Sequence, residues 1–392
     1  MYHGMMNDRP LHIGLVFGYG LAYYREILRG IMSFAEARPR WIFTPIAPDP
    51  EAVRAVRPLA HDGYIAHIFT PGMGKALARL RKPVVNVSGV LPRLAIPRVG
   101  VDHEAAGCQA ADHLLDRGLR HFGFFGYPDH AYSIGREEGF RLRVEAAGYR
   151  VESYYAPNPS NIDPTGLWRW DDDLQRWLSG LGRPVGILAS NDVQGVQLSE
   201  ACRQEGLRVP DEVALVGVDN DDLLCEMSRP SLSSVALPGE RIGHEAARLL
   251  DLLMTVPESI DQIPSLRLPP LGVMTRGSSD MLAIGDVDVT AAVRFIRSHS
   301  HEPIRVVDVL DVITVSRRSL ERRFRAALGR GIGEEIRRSH MERAKGLLSE
   351  TEMPISLVAT NSGFSEPKQL SAVFRQEMEM TPTEYRRRSR AR

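Results

Sequence analysis

Two groups of side chains in this 392-residue chain have types and spacings that could do chemistry. The first is Ser316–Arg325, which holds five arginines in ten residues. Leu320 and Phe324 stand one helical turn apart, so on a helix capped by Ser316 they share the buried side. Arg317, Arg318, Glu321, Arg322 and Arg325 then fall elsewhere on the wheel and stay free. Guanidinium groups fork onto guanine or grip phosphates, and a glutamate can accept from cytosine N4. Taken alone, a basic run of this kind reads by default as a solvated helix face. The second group is dispersed: Tyr132-Ser133-Ile134-Gly135-Arg136 ahead of a helix, Ser190-Asn191-Asp192, and Asp219-Asn220-Asp221-Asp222. Carboxylates, amides and an arginine that converge from several loops can each bond two adjacent hydroxyls, which is what polyol recognition needs. Helix capping competes for Asp192 and Asp221. Ligand contact is the favoured role for Arg136 and Asp219.

The elements that must position this second group are short apolar runs alternating with amphipathic helices. Leu11–Phe17, Ile42–Ile46, Tyr64–Ile68, Val84–Val87, Arg98–Val101, Phe122–Gly126, Val185–Ser190 and Val213–Val218 read as buried parallel strands. Tyr23–Ala37, Glu104–Arg117, Arg136–Ala147 and Asp192–Glu205 read as the helices between them. Such alternation predicts a doubly wound α/β sheet whose ligands bind at the strands' C-terminal ends. After the first run, Gly18 and Gly20 invite a dinucleotide reading. The third glycine is missing, with Tyr23 in its place, and no acidic residue ends the second run. Tyr19, Tyr23 and Tyr24 suit a pocket that stacks on a sugar ring, or packing of loop aromatics on the core.

Formal net charge is zero, but residues 1–285 carry 29 Lys and Arg against 34 Asp and Glu, whereas residues 286–392 carry 20 against 15. That asymmetry points to a basic nucleic-acid module attached to a mildly acidic domain. Cys108, Cys202 and Cys225 are odd in number and widely spaced, so reduced thiols are expected and no zinc site or other metal site is. Met1–Pro10 is polar and the run after it is too short for a signal or a membrane span, which predicts a cytoplasmic protein with no membrane partner. His299 and His301 flank Ser300, but no nucleophile elbow, zinc helix or P-loop motif accompanies them. No enzyme and no cofactor is expected.

Arg276–Asp286 breaks the α/β pattern with Gly, Ser and Asp. The division expected is a binding domain over 1–275, a linker over 276–285 and an all-α domain over 286–392. Helices are predicted at Val289–Ser298, Arg305–Val312, Ser316–Leu328, Ile332–Leu348, Ile355–Ser362 and Glu366–Met378. A last short helix starts at a Thr381-Pro382-Thr383-Glu384 capping box. Leu370 and Phe374 repeat the Leu320 and Phe324 spacing, so a helix-turn-helix unit occurs twice, joined by one long helix.

Val101–Gly107, Ala110–Gly126, Arg136-x-x-Gly139-Phe140, Ala189–Asp192, Val216–Asn220 and Pro230–Val235 together resemble the periplasmic-binding-protein-like sensor domain of LacI-type repressors. The resemblance implies two α/β lobes hinged near Val101–Asp102 and Ser233–Ala236 with a small effector between them. It carries the effector-binding arginine onto Arg136, the asparagine onto Asn191 and the aspartate onto Asp219. LacI-type repressors place their DNA-binding helices before the sensor, and this chain does not. Residues 286–392 instead resemble the DNA-binding domain of AraC-type activators, on Gly363-Phe364, Phe374, Thr381-Pro382 and Tyr385-Arg386. That match turns Arg318, Glu321 and Arg322 to bases in the first unit, and Pro367, Lys368 and Ser371 in the second. Arg317, Arg323 and Arg325 are left for phosphates or solvent. Thr314 stands where the AraC type has glycine in the first turn, and Ala372 where many members have a base-contacting arginine.

The order of the two parts is similar to that of the bacterial xylose-operon regulators, which implies control of operator or promoter DNA by a sugar, xylose or a related pentose. Tyr23, Arg136, Asp192, Asp219 and Asn220 look retained by comparison with them. The resemblance further implies a homodimer and, for an activator, contact with RNA polymerase. A repressor of the same architecture is the alternative. A transporter-linked solute-binding protein would leave residues 286–392 without a role.

Overall fold

The computed structural model describes residues 9–38, 40–56, 59–91, 94–156, 172–255, 265–281, 283–378 and 380–390. Residues 1–8 of the polar start lie outside these. The chain separates into two compact units, one of residues up to 111 with 122–279, the other of 112–121 with 280–391.

In the first unit the elements alternate as the apolar runs require. They are β1 (Leu11–Val16), α1 (Ala22–Glu36), β2 (Trp41–Ile46), α2 (Pro50–Ala55), β3 (Gly63–Ala66), α3 (Pro71–Ala78), β4 (Val84–Asn86), β5 (Val99–Val101), α4 (His103–Leu115), β6 (His121–Gly126) and α5 (Ala131–Ala146). There follow β7 (Val151–Tyr155), α6 (Asp172–Gly180), β8 (Val185–Ala189), α7 (Asp192–Gln204), β9 (Val213–Asp219), α8 (Asp222–Met227), β10 (Ser233–Ala236), α9 (Gly239–Thr255), β11 (Leu266–Leu268) and β12 (Gly272–Met274).

Two sheets result, in the orders β2-β1-β3-β4 and β12-β10-β9-β8-β6-β7. The pairs β1–β2, β1–β3, β3–β4, β6–β7, β8–β9 and β9–β10 are parallel, and β10–β12 is antiparallel. β5 and β11 form a separate parallel ribbon. Wholly buried strands such as β8 (Val-Gly-Ile-Leu-Ala) show why period-2 alternation is absent: helices cover both faces. Ile187, Leu215 and Leu198 centre the core of one lobe, and Val16, Tyr64 and Ile68 that of the other.

α5 begins at Ala131, not at Arg136, so Tyr132–Arg136 forms its first turns rather than a loop before it. Gly107 of α4 and Gly139 of α5 explain the packing there. A methyl on Gly139 would run into the Glu104 carbonyl, and one on Gly107 into the Arg136 carbonyl. Arg276–Ser279, expected to open a linker, is sewn onto the β9–β10 edge. Ser278 Oγ accepts from the Ser233 N–H at 2.8 Å and donates to the Leu215 carbonyl at 2.7 Å.

The second unit carries α10 (Val287–Ser298), α11 (Val306–Asp311), α12 (Arg317–Leu328), α13 (Ile332–Glu350), α14 (Ile355–Asn361), α15 (Pro367–Met378) and α16 (Pro382–Arg390). Ser316 caps α12, accepting from the Ser319 N–H at 3.4 Å, and Gly329 ends it at φ 71°. Leu320 and Phe324 are fully buried with Val293, Ile296, Val309, Ile332 and Ile336. Leu370 and Phe374 are fully buried in a second cluster with Met341, Ala344, Leu348, Val358 and Tyr385. α13 therefore supplies Ile332 and Ile336 to one core and Met341, Ala344 and Leu348 to the other, which fixes the two helix-turn-helix units on one rod.

Candidate functional site

Arg136 is the centre of the first candidate site. Its backbone sits in the second turn of α5 and the residue is 3% exposed. The guanidinium donates to the Ser190 carbonyl at the end of β8 and to Asp219 Oδ1, 3.1 Å away, at the end of β9. It lies over the Tyr132 ring, 5.0 Å from the centroid, because the two residues are four apart on one helix. Its Nε has no partner among the described residues. A buried charge held on one face with an N–H to spare is equipped to take a hydroxyl.

Asp219 and Asn220 adopt positive φ, 118° and 53°, although neither is glycine. Strain of this kind persists only where surrounding bonds enforce it, and it clusters at ligand sites. The enforcing bonds are visible. Asn220 N–H donates to Ser234 Oγ at 3.0 Å, and Asn220 Oδ1 accepts from Arg276 at 2.9 Å. Burial raises the Asp219 carboxyl above the usual range and Arg136 opposes that shift.

Asp192 is placed differently from the other polar residues. It is 1% exposed and accepts from Ser234 Oγ at 2.5 Å and from the Asp221 N–H at 2.8 Å. Burial, and then the charge of Asp219, raise its carboxyl. Those bonds occupy it with holding the β9 and β10 ends together. Asn191 is the residue that caps α7, accepting from the Gln194 N–H at 2.9 Å while its amide donates to Tyr132 Oη at 3.1 Å. Tyr23 sits in the first turn of α1 and donates to the Val87 carbonyl at 3.4 Å, its phenol pushed upward in pKa by burial and then by Asp219. The structure thus brings Arg136, Asn191, Asp219 and Asn220 to the strand ends of the six-stranded sheet, with Asp192 bonded beneath them, while Tyr23 stands after β1 of the four-stranded sheet.

Some partnerships at this site carry no signal in the sequence. Asp221 does cap α8, as its competing role required, but its Oδ2 also accepts from the Ala22 N–H at 2.7 Å. α1 has no side-chain cap of its own, because Leu21 precedes it. A carboxylate at the end of one sheet therefore caps a helix that follows the other, across 199 residues of sequence. Ser234 and Arg276, which bond Asp192 and Asn220, were not singled out. Tyr132, named with the polar residues ahead of Arg136, stands four residues before it on the helix.

The second candidate site lies on α12 and α15. Arg317, Arg318, Arg322 and Arg325 are exposed and Glu321 half-buried; Pro367 and Lys368 are exposed and Ser371 half-buried. Arg317 Nε donates to Glu321 Oε1 at 3.1 Å, so the glutamate is already held in line. Arg323 was read as a phosphate ligand or a solvated residue, and it is neither: it bonds Asp286, at 2.8 Å, and Asp288 at the start of α10. Those two carboxylates could not be matched to it from spacing. Thr314 is absent from the residues with positive φ, whereas Gly363 in the second turn has φ 75°. The first turn is rebuilt without a left-handed residue, so threonine is unstrained there. His299 packs on Phe295 with ring centroids 4.2 Å apart.

Comparison with known proteins adds the following. A periplasmic binding protein-like domain matches residues 111–279 and a helix-turn-helix domain residues 310–388. The chain is 30% identical over 395 residues to the xylose operon regulatory protein of Haemophilus influenzae, covering 97% of this chain and 99% of that one. It is 30% identical to the protein of the same name from Escherichia coli (strain K12), covering 95% and 96%. A solved structure of a xylose-binding transcription activator aligns with TM-score 0.61 and 28% identity, over 97% of this chain and 99% of that one. A transcriptional regulator bound to cellobiose aligns with TM-score 0.55 and 22% identity over 69% of this chain and 85% of that one, a likeness of fold.

Proposed function

We propose that this chain, which belongs to the family of the xylose operon regulatory proteins, is a transcription regulator whose grip on operator DNA is set by a small sugar. The observation that carries the reading is one chain holding both a buried Arg136 paired with Asp219 at strand ends and two helix-turn-helix units on one rod, the first rich in arginine. A pentose, xylose first among the candidates, would bond Arg136, Asn191, Asp219 and Asn220 through its hydroxyls and stack on Tyr23 or Tyr132. Asp192 supports these residues from below.

Effector binding would stabilise one separation of the lobes, and the Asp221 bond to α1 is a contact that such a change makes or breaks. On DNA, Arg318, Glu321 and Arg322 would read base edges in one major groove, about 12 Å wide. Pro367, Lys368 and Ser371 would meet the next groove face, about 34 Å along. Arg317 and Arg325 would touch phosphates. The regulator would work as a homodimer in the cytoplasm, as an activator in contact with RNA polymerase; among the described residues no helix is long and apolar enough to cross a membrane. A repressor of the same build is the second reading. Catalysis has no part in this account.

The test is fluorescence anisotropy of labelled promoter DNA with and without xylose, on the native chain and on Arg136→Met. A sugar-dependent affinity that the variant lacks supports the reading. DNA binding indifferent to every pentose removes the sugar from it.

A further inference from the structure

Helix α4 belongs to both compact units: its residues up to Ala111 group with the first, and those from Asp112 with the second. In the first unit it crosses α5 at Arg136 itself. Gly107 of α4 lies so close that a methyl group on it would stand 2.0 Å from the Arg136 carbonyl and 2.6 Å from the Phe140 nitrogen. Gly139 of α5 meets the Glu104 carbonyl in the same way at 1.9 Å, and Cys108 Sγ donates to the Gly139 carbonyl at 3.2 Å. Backbone packed on backbone has no flexible side chain to take up slack, so a shift of α5 at Arg136 is a shift of α4.

The other end of α4 is tied within the second unit. Asp116, whose N–H closes the last turn on the Asp112 carbonyl at 2.9 Å, accepts from Arg330 at 2.6 Å through Oδ1 and from Arg338 through Oδ2. Glu335, fully buried on α13, accepts from the same two guanidinium groups, at 2.6 Å from Arg330 Nε and 3.0 Å from Arg338 Nε. The four side chains close a ring in which each carboxylate bonds both arginines. Isolated exposed pairs contribute little, but here one member is fully buried and Asp116 supplies the second negative charge for the two arginines. Arg330 stands between Gly329, which ends α12, and Gly331, which precedes α13. The ring therefore grips the joint between α12 and the rod that carries both helix-turn-helix units.

We propose that α4 and this ring, rather than the chain between Asp280 and Gly285, carry occupancy of the effector site to the DNA-reading helices, with Asp116 as the positioning residue that fixes the α12–α13 joint. This rests on the reading of the Arg136 cluster as the effector site and names how that site regulates DNA binding.

Fluorescence anisotropy of labelled promoter DNA on the full chain, with and without saturating D-xylose, reads the coupling factor, and calorimetry reads xylose affinity in the absence of DNA. The native factor should be on the order of 5–150-fold. In Asp116→Asn it should fall to within about twofold of unity, while xylose affinity stays within about threefold of native and promoter DNA is still bound. A misfolded variant cannot give those last two results. Arg330→Gln opens the ring from the other side and should lower the factor likewise, whereas Asp116→Glu, which keeps the carboxylate, should retain part of it. Two glycines inserted after Asp280 should leave the factor within about threefold of native, because they lengthen only the connecting chain. Coupling that survives both Asp116→Asn and Arg330→Gln, or that is lost on the glycine insertion, overturns the proposal and leaves the regulator reading standing. Native promoter affinity indifferent to every pentose removes that reading and the proposal with it.

Discussion

Arg136 shows what a single residue contributes here. Its guanidinium is the counter-charge for Asp219, and Asp192 lies close enough to have its own carboxyl raised by Asp219. Arg136→Met would leave the half-buried Asp219 without its counter-charge, which costs about 1–3 kcal/mol of stability. Denaturant melts should show that loss, and Arg136→Met with Asp219→Asn should recover part of it, since the second change removes the orphaned charge. No recovery would mean that Arg136 stabilises through packing. Glu26 on α1 gives a pH signature of its own. Burial, and then the charge of Glu240, raise its carboxyl to about 7. The folded chain therefore keeps a proton that the unfolded chain releases near its ordinary value of 4.5. The sign follows: this contribution is fully present below that value and is lost as pH rises through about 7. The melting temperature of the native chain should fall between about pH 5 and about pH 8 by more than that of Glu26→Gln. Parallel curves would contradict the assignment.

At the scale of elements, the two turns of the DNA-reading unit solve one problem in two ways. Gly363 uses a left-handed residue, and Thr314 stands in a turn that needs none. Thr314→Gly should therefore not stabilise the protein; the added freedom of the unfolded chain costs about 0.5–1 kcal/mol. A gain in stability would show that the threonine is strained after all. Phe324→Ala, which empties a fully buried site, should cost about 3–5 kcal/mol and abolish DNA binding. On DNA itself, Arg322→Ala should relax sequence specificity by about 1–3 kcal/mol at its base, because the proposed guanidinium readers lie on α12, and α15 has Ala372 instead. Lys368→Ala should weaken binding to all sites alike; equal loss of specificity from both would defeat that division of labour. The α12 features were legible because they are local: a serine cap, a Leu-x-x-x-Phe spacing and a terminal glycine all lie within fourteen residues of one another. The start of α5 was not legible, because Tyr132–Arg136 looks like a polar loop until Gly139 is seen packed on α4. Asp192 had the right type for a ligand contact, but its partners Ser234 and Asp221 come from other elements. The cap that Asp221 gives α1 has no local trace at all.

The molecule as a whole joins a proposed polyol site to helices of a DNA-binding domain, and thermodynamics makes such coupling reciprocal. The two ligands can influence each other only through a difference in affinity between conformations. The strand-end cluster provides candidates for that difference: the Arg136–Asp219 pair, the strained Asp219-Asn220 backbone and the Asp221 bond to α1 would all respond to an occupant. Calorimetry in which the effector is titrated into the free protein and into its complex with operator DNA tests this most directly. The two effector affinities should differ by the same factor as operator affinity differs with and without effector, on the order of 5–150-fold. Identical effector affinity in the two titrations would contradict it.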